Sequence, residues 1–214
     1  MKKVLIGCAG VAVVLMIAVG IGGYFVFNAA RGYIEGFVEL AERVPELNAQ
    51  VVDQSAYAAP ADAGLSADQI ERYMGVQQTM TEALGARYRT MEAQYAEWDE
   101  MRKGGREPGL REIMQAWQDM LALIIDAKQA QVQGLNEQDF SLAEYHWVRE
   151  QVLLSLGHGF IQWNVDELVQ NPGEVGETAP ARLPPPEVLE ENRALLQAHE
   201  ETMEQWLALS FFGL

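Results

Sequence analysis

Hydrophobic and polar positions divide the chain into one long apolar run followed by amphipathic segments. Residues 4–27 contain no charged side chain. A run of 24 residues exceeds the ~20 that an α-helix needs to cross about 30 Å of hydrocarbon. The pattern therefore predicts a single transmembrane helix near the N-terminus.

Two processing signals are alternatives to this anchor. Cys8 ends a Leu-Ile-Gly-Cys tetrapeptide that is typical of a bacterial lipobox. A cleavable signal sequence needs an apolar region of about 7–15 residues before the cut, and only residues 4–7 precede Cys8, which argues against lipidation. Cleavage near Ala29 and Ala30, where small residues suit a signal peptidase, is the second alternative.

Charged residues on the two sides of the apolar run predict its orientation. Lys2 and Lys3 precede it, whereas the segment after it carries Arg31, Glu35, Glu39 and Glu42. Positive charge favours the cytoplasmic side of a membrane, so we expect the N-terminus inside and the remaining chain outside. The expected location is a bacterial inner membrane, with the C-terminal domain in the periplasm.

The part of the chain after the apolar run is strongly acidic. It contains 31 acidic and 13 basic residues, a net charge of −18. Such a charge disfavours nucleic acid and anionic lipid head groups. It would suit a basic periplasmic partner, and a solvated surface is the simpler alternative. The lone Cys8 lies in the apolar run, so this part has neither a disulfide nor a thiolate metal site.

A linker without regular periodicity is predicted after the anchor. The anchor helix should end near Arg43, because Pro45 cannot continue it. Residues 44–65 contain two prolines and a glycine and show no helical period, so we expect an extended segment. It is either a mobile tether or a strap laid on a partner. Three apolar residues favour the strap: Val51, Val52 and Tyr57.

Four amphipathic helices are predicted after the linker, because apolar residues recur at steps of three and four. Ser66 with Gln69, and Ser141 with Glu144, form capping-box patterns at two helix starts. Gly134 is expected to end the second helix. The expected helices cover residues 66–103, 110–133, 141–168 and 187–209.

The predicted fold class is therefore all-α, because no segment alternates convincingly with period two. It consists of one N-terminal transmembrane helix, an extended linker and a helical bundle of about four outer helices. The expected divisions are 1–43 for the anchor and juxtamembrane helix, 44–65 for the linker or strap, and 66–214 for the acidic bundle.

Small residues four positions apart mark candidate helix–helix contacts in and near the anchor. Small side chains let membrane helices approach closely, although glycine and alanine are also common in any membrane helix. If the contacts form, the anchor packs against another helix. The candidate residues are Ala18, Gly22, Gly32 and Gly36.

The sequence carries no recognisable catalytic, cofactor or metal motif. A di-iron bundle requires two Glu-x-x-His pairs, and none of His146, His158 and His199 has a glutamate three positions before it. No Gly-x-Ser-x-Gly or phosphate-binding glycine loop appears. The acidic pairs of the last helix belong to a solvated face, so we expect no enzyme, no cofactor and no metal.

His158 lies between two glycines and has two interpretations. It is either exposed at a helix bend and able to ligate, or it marks a point where glycines let another backbone approach. We favour the second interpretation.

The C-terminal nonapeptide is almost wholly apolar, and soluble monomers rarely expose such a tail. It either packs under the bundle, enters the membrane interface or docks on another subunit. The candidate docking residues are Trp206, Phe211 and Phe212.

In layout the chain resembles single-span accessory subunits of bacterial photosynthetic reaction-centre and antenna complexes. The resemblance rests on the Met-Lys-Lys start, the apolar run of residues 4–27 and an exported helical domain without cofactor motifs. It implies a non-catalytic accessory subunit that packs among other transmembrane subunits and stabilises the periplasmic face of their complex. A freestanding membrane-anchored periplasmic sensor or assembly factor is the alternative, and an enzyme or haem carrier of unfamiliar type is the third.

Overall fold

The computed structural model describes residues 26–107, 109–158, 165–170, 184–199 and 202–203. Within these ranges the chain is all-helical, as the sequence predicts, and it forms six α-helices and no strand. The helices are α1 (Val26–Asn48), α2 (Ala67–Lys103), α3 (Leu110–Glu137), α4 (Leu142–Ser155), α5 (Val165–Gln170) and α6 (Pro186–Leu196).

The helices in the described ranges include none that is long and apolar enough to cross a membrane. The predicted span, residues 4–27, lies outside these ranges except for its last two residues.

Helix α1 continues through Pro45 to Asn48, so the predicted end near Arg43 is wrong. A proline inside a helix costs about 3 kcal/mol, because it removes a backbone hydrogen bond and crowds the preceding turn. The turns around Pro45 bury Leu40, Val44 and Leu47 almost completely. Each such side chain contributes about 1.5–3 kcal/mol, so their burial outweighs the proline. Residues 44–48, which the sequence assigns to the linker, therefore belong to α1, and Val44 and Leu47 among them lie in the core.

Helices α2 and α3 form an antiparallel hairpin at the centre of the fold. Midway along the hairpin, Arg87 Nε on α2 lies 2.8 Å from Asp126 Oδ2 on α3. Near its open end, Thr79 Oγ1 donates to Glu137 Oε2 at 3.1 Å. Helix α2 has the predicted bounds, and both halves of its capping box form between Ser66 and Gln69.

Helix α1 lies parallel to α3. A side-chain carbon at Gly36 would overlap the side chain of Leu121, so the two helices touch there. Fifteen residues further along, the side-chain amide of Asn136 donates to the Gln50 carbonyl oxygen at 3.0 Å and accepts from the Val52 backbone N–H at 2.7 Å. The register between the helices is therefore constant over about four turns.

Gly134 lies inside α3 and is buried, so the prediction that it ends the helix is wrong. A Cβ atom at this position would lie 2.9 Å from the Cα atom of Val76 on α2. Glycine is required here because the two helix backbones cross in close contact. The helix ends three residues later, at Glu137, and just beyond it Asp139 takes a positive φ of 47° and the fully buried Phe140 donates its N–H to the Leu135 carbonyl oxygen.

The segment of residues 51–65 contains no helix and lies on the bundle of its own chain. Val51 is 2% exposed, and the ring of Tyr57 packs on the ring of Trp147 with centroids 5.2 Å apart. At the far end of the segment, the Leu65 N–H donates to Asn192 Oδ1 of α6 at 2.8 Å. The strap therefore packs on the bundle of its own chain and is part of the same fold.

Helix α4 ends at Ser155 rather than bending and continuing as predicted. The N–H of His158 donates to the Leu153 carbonyl oxygen, and the N–H of Gly157 donates to the Leu154 carbonyl oxygen. These two bonds form a Schellman motif, which requires the positive φ of 81° found at Gly157. At its start, Ser141 accepts from the Glu144 N–H as expected, but the Glu144 carboxylate binds elsewhere.

The last predicted helix is interrupted. Helix α6 ends at Leu196, and a 3₁₀ turn, Gln197–His199, follows. Leu196 and Met203 are buried as the apolar stripe predicts, whereas Leu195 on the same predicted stripe is 41% exposed. Residues 204–214 lie outside the described ranges.

Candidate functional site

A buried ion pair occupies the centre of the bundle. The ammonium group of Lys128 on α3 lies 2.9 Å from Asp166 Oδ2 on α5 and donates to Gln131 Oε1 at 2.7 Å. The Lys128 side chain is fully buried, and that of Asp166 is 7% exposed. Charges leave water at high cost unless they are paired and hydrogen-bonded, so this arrangement satisfies the requirement for burial.

Asp166 also binds two other helices. Asn48 at the end of α1 donates from Nδ2 to Asp166 Oδ1 at 2.6 Å. His146 of α4 has its Nε2 atom 3.1 Å from Asp166 Oδ2. One carboxylate therefore connects α1, α3, α4 and α5. We call Asn48, Lys128, His146 and Asp166 the carboxylate cluster.

Burial and charge oppose each other at this cluster. Burial alone would raise the pKa of Asp166, but the contact with His146 and the positive charge of Lys128 outweigh it and lower that pKa below its ordinary value. Burial lowers the pKa of Lys128, against the opposing influence of Asp166, and the charge of Arg149 lowers it further.

A second buried polar layer lies beside the cluster. Gln77, the polar exception in the apolar stripe of α2, donates from Nε2 to the Tyr145 hydroxyl at 2.7 Å. The Tyr145 ring stacks on Tyr73, with centroids 5.6 Å apart, and meets Phe140 edge-on. Tyr145 is completely buried, which raises the pKa of its hydroxyl. A polar residue therefore stands at position 77 of the apolar stripe because its side chain makes this buried hydrogen bond.

A third polar group joins the strap to the bundle at the start of α2. Arg72 donates two hydrogen bonds to the Glu144 carboxylate, and its guanidinium lies 4.3 Å from the centroid of the Phe140 ring. Gln69 donates from Nε2 to the Tyr57 hydroxyl at 2.8 Å and to Glu144 at 2.9 Å. This explains why Glu144 does not complete its own capping box.

These groups are arranged for holding helices together. An enclosed ammonium that is paired with a carboxylate cannot reach a substrate from solvent. What the carboxylate cluster can do is fix the position of α1 and α5 against α3. Removal of one partner from such a buried pair typically costs about 3–5 kcal/mol, because the other charge stays buried alone.

The predicted helix-contact residues are only partly within the described ranges. Gly36 contacts Leu121 of the same chain, and Gly32 lies within α1. Ala18 and Gly22 lie outside the described residues. The small-residue contact at Gly36 is therefore made inside this domain.

Two of the predicted docking residues make internal contacts. Val51 belongs to the core and Tyr57 packs on Trp147, whereas Val52 is 83% exposed. Of the three strap residues that are predicted to dock on a partner, Val52 is therefore the exposed one. Trp206, Phe211 and Phe212 lie outside the described residues.

The three histidines lie in separate places. The backbone N–H of His158 takes part in the helix cap described above, and no atom of the described part of the chain lies within 4 Å of a Cβ built at its neighbour Gly157. His146 contacts Asp166, a partner that sequence reasoning missed. His199 lines a groove of about 520 Å³ against α2. Within the described ranges, no group of three or more His, Cys, Asp or Glu side chains is placed to hold a metal ion.

Comparison with known proteins finds no protein-family model, no curated protein and no solved structure that matches the chain.

Proposed function

We propose that this chain is a membrane-anchored, non-catalytic accessory subunit of an integral membrane complex, and that its bundle stabilises the outer face of that complex. The observation that carries the proposal is the continuity of α1. Within the described residues the helix runs from Val26, at the end of the apolar run, into the core of the bundle without a break.

A helix that continues from the predicted span into the core would hold the bundle in a fixed orientation on the membrane, and we call this arrangement the rigid mount. Leu40, Val44 and Leu47 fix α1 in the core, and Asn48 ties its end to Asp166. The direction in which the bundle faces is then coupled to the rotation of the predicted span. A flexible tether would let the bundle search for targets, whereas a rigid mount presents one face to one neighbour. This favours a fixed subunit over the alternative, a freestanding sensor or assembly factor.

An exposed apolar patch lies on the same helix, close to the predicted membrane surface. Phe37 is 39% exposed although its ring contacts Trp117, and Val38 is 49% exposed. Apolar side chains on a rigid element near the membrane suit contact with a neighbouring transmembrane subunit.

Two features indicate which kind of complex could contain this chain. The layout is similar to accessory subunits of photosynthetic reaction-centre and antenna complexes, which makes such a complex one candidate host. The charge of −18 after the apolar run would also suit a basic periplasmic subunit.

Co-purification tests the proposal. The tagged full chain is extracted from native membranes with a mild detergent, separated on a native gel, and quantified against the proteins that migrate with it. An accessory subunit should remain with the same transmembrane partners at a fixed ratio. A freestanding factor should migrate alone or at a ratio that falls on dilution, and that result would overturn the proposal.

A further inference from the structure

The closed end of the α2–α3 hairpin points in the same direction as the N-terminus of α1. Helices α1 and α3 are parallel, and α2 returns antiparallel to α3. The loop between α2 and α3 and the start of α1 therefore lie at the same end of the bundle. We call residues 102–107, at the end of α2 and in the loop, the hairpin tip.

The level of the tip follows from the helix rise of 1.5 Å per residue. Starting from the contact between Gly36 and Leu121, residue 27 lies nine positions back along α1, about 14 Å away. Leu110 lies eleven positions back along α3, about 17 Å away. Measured along the helices, the start of α3, and with it the loop, thus lies about 3 Å closer to the centre of the predicted membrane than the end of the apolar run.

The chemistry of the tip differs from that of the remaining domain. Residues 99–107 contain three basic and three acidic residues, whereas the chain after the apolar run carries −18. The three basic side chains are well exposed, at 59%, 63% and 70%. Their acidic neighbours hold them in ion pairs, so this end of an acidic domain is locally neutral. The three residues are Arg102, Lys103 and Arg106.

We infer that the hairpin tip rests in the lipid head-group layer of the membrane, where Arg102, Lys103 and Arg106 contact lipid phosphates. This inference rests on the proposed membrane anchor. As a helix the apolar run of 24 residues is about 36 Å long, about 6 Å more than the hydrocarbon core, so its outer end reaches about 3 Å into the head-group region and the calculated level of the tip is the inner edge of that region. Long basic side chains reach phosphates from such a position, and local neutrality removes the repulsion that the acidic surface would otherwise cause.

Quenching by nitroxide-labelled head groups tests the contact. The full chain with Cys8→Ala is reconstituted in phosphatidylglycerol-containing vesicles, and a fluorescent label is attached at Glu107→Cys. The control carries the label at Ala61→Cys, which is exposed and lies near the start of α2. The label at Glu107→Cys should lose about half of its fluorescence or more, while the control label, about 55 Å of helix away, keeps its signal.

A charge-reversed variant, Arg102→Glu/Lys103→Glu/Arg106→Glu, should reduce the quenching at Glu107→Cys, because anionic lipids then repel the tip. Arg193→Glu, on α6, is the matched control and should leave it unchanged. Equal and weak quenching at both labels, in a chain that resists alkaline carbonate extraction, would overturn the tip contact alone. Release of the chain by carbonate would overturn the membrane anchor and the inference with it.

Discussion

Gly134 of α3 and Val76 of α2 stand so close that a Cβ at Gly134 would lie 2.9 Å from the Val76 Cα. The clash is with backbone, which cannot rotate away. We therefore expect Gly134→Ala to lower the free energy of unfolding by about 1–3 kcal/mol. Urea denaturation of the full chain in detergent, followed by circular dichroism, measures this change.

Gly85 provides the matched control, because it lies within α2 and has open space where a Cβ would stand. Gly85→Ala should raise the free energy of unfolding by about 0.5–1 kcal/mol, since alanine is the better helix former. Equal effects of the two substitutions would show that the α2–α3 crossing does not depend on glycine.

Asp139 has a positive φ of 47° where α3 ends, a conformation that disfavours side chains other than glycine and, to a lesser degree, asparagine and aspartate. Asp139→Gly should raise the free energy of unfolding by up to about 1 kcal/mol. Asp139→Ala should lower it, because alanine retains the strain and loses the tolerance of aspartate. A gain in stability with alanine would contradict the assigned conformation.

Val51 and Val52 are neighbours in sequence with opposite surroundings, at 2% and 83% exposure. Val51→Ala should lower the free energy of unfolding by about 1–3 kcal/mol, through lost apolar burial and a cavity. Val52→Ala should change it by less than about 0.5 kcal/mol. Comparable losses from both would mean that the strap lies differently on the bundle.

The pair of Lys128 and Asp166 predicts a coupled mutational effect. Asp166→Asn should lower the free energy of unfolding by about 3–5 kcal/mol, because Lys128 is left buried without its counter-ion. The double variant Lys128→Met/Asp166→Asn should lose less than the sum of the two single variants. Additive losses would show that the two side chains do not interact.

The lowered pKa of Asp166 predicts a dependence on acid. An aspartate titrates at about pH 3.9 in an unfolded chain, and Asp166 titrates lower in the folded protein. Its stabilising contribution is therefore fully present above about pH 4 and is lost as pH falls towards the lower value. Between about pH 5 and pH 2, wild-type protein should lose more stability than Asp166→Asn, and identical slopes would contradict the assignment.

The all-helical fold could be predicted because its signals are local. Helix α2 begins at a capping box and ends before two glycines, and both features act through neighbouring residues. The same local rules gave the wrong ends at Pro45 and Gly134. In each case the contacts that override the rule come from a helix distant in sequence, and the pattern around the residue carries no information about them.

The carboxylate cluster shows a similar division. Lys128 lies four residues after Ile124 and seven after Leu121, so its position on the apolar stripe of α3 was a readable signal of a buried charge. Its partner could not be read in this way, because Asp166 is 38 residues further along the chain and is brought close only by the packing of α5. Local periodicity indicates that a charge is buried, and the tertiary fold determines what neutralises it.

The rigid mount formed by α1 is the central claim, and interrupting the helix tests it most directly. A flexible Gly-Ser-Gly-Ser-Gly insert after Arg31 separates the predicted span from the bundle, and the same insert after the exposed Ala59 is the control. The quantity measured is the fraction of chain that migrates with its membrane partners on a native gel. We expect the insert after Arg31 to abolish co-migration while the chain stays membrane-inserted and folded, and the control to retain it. Undiminished co-migration with the insert after Arg31 would contradict the account.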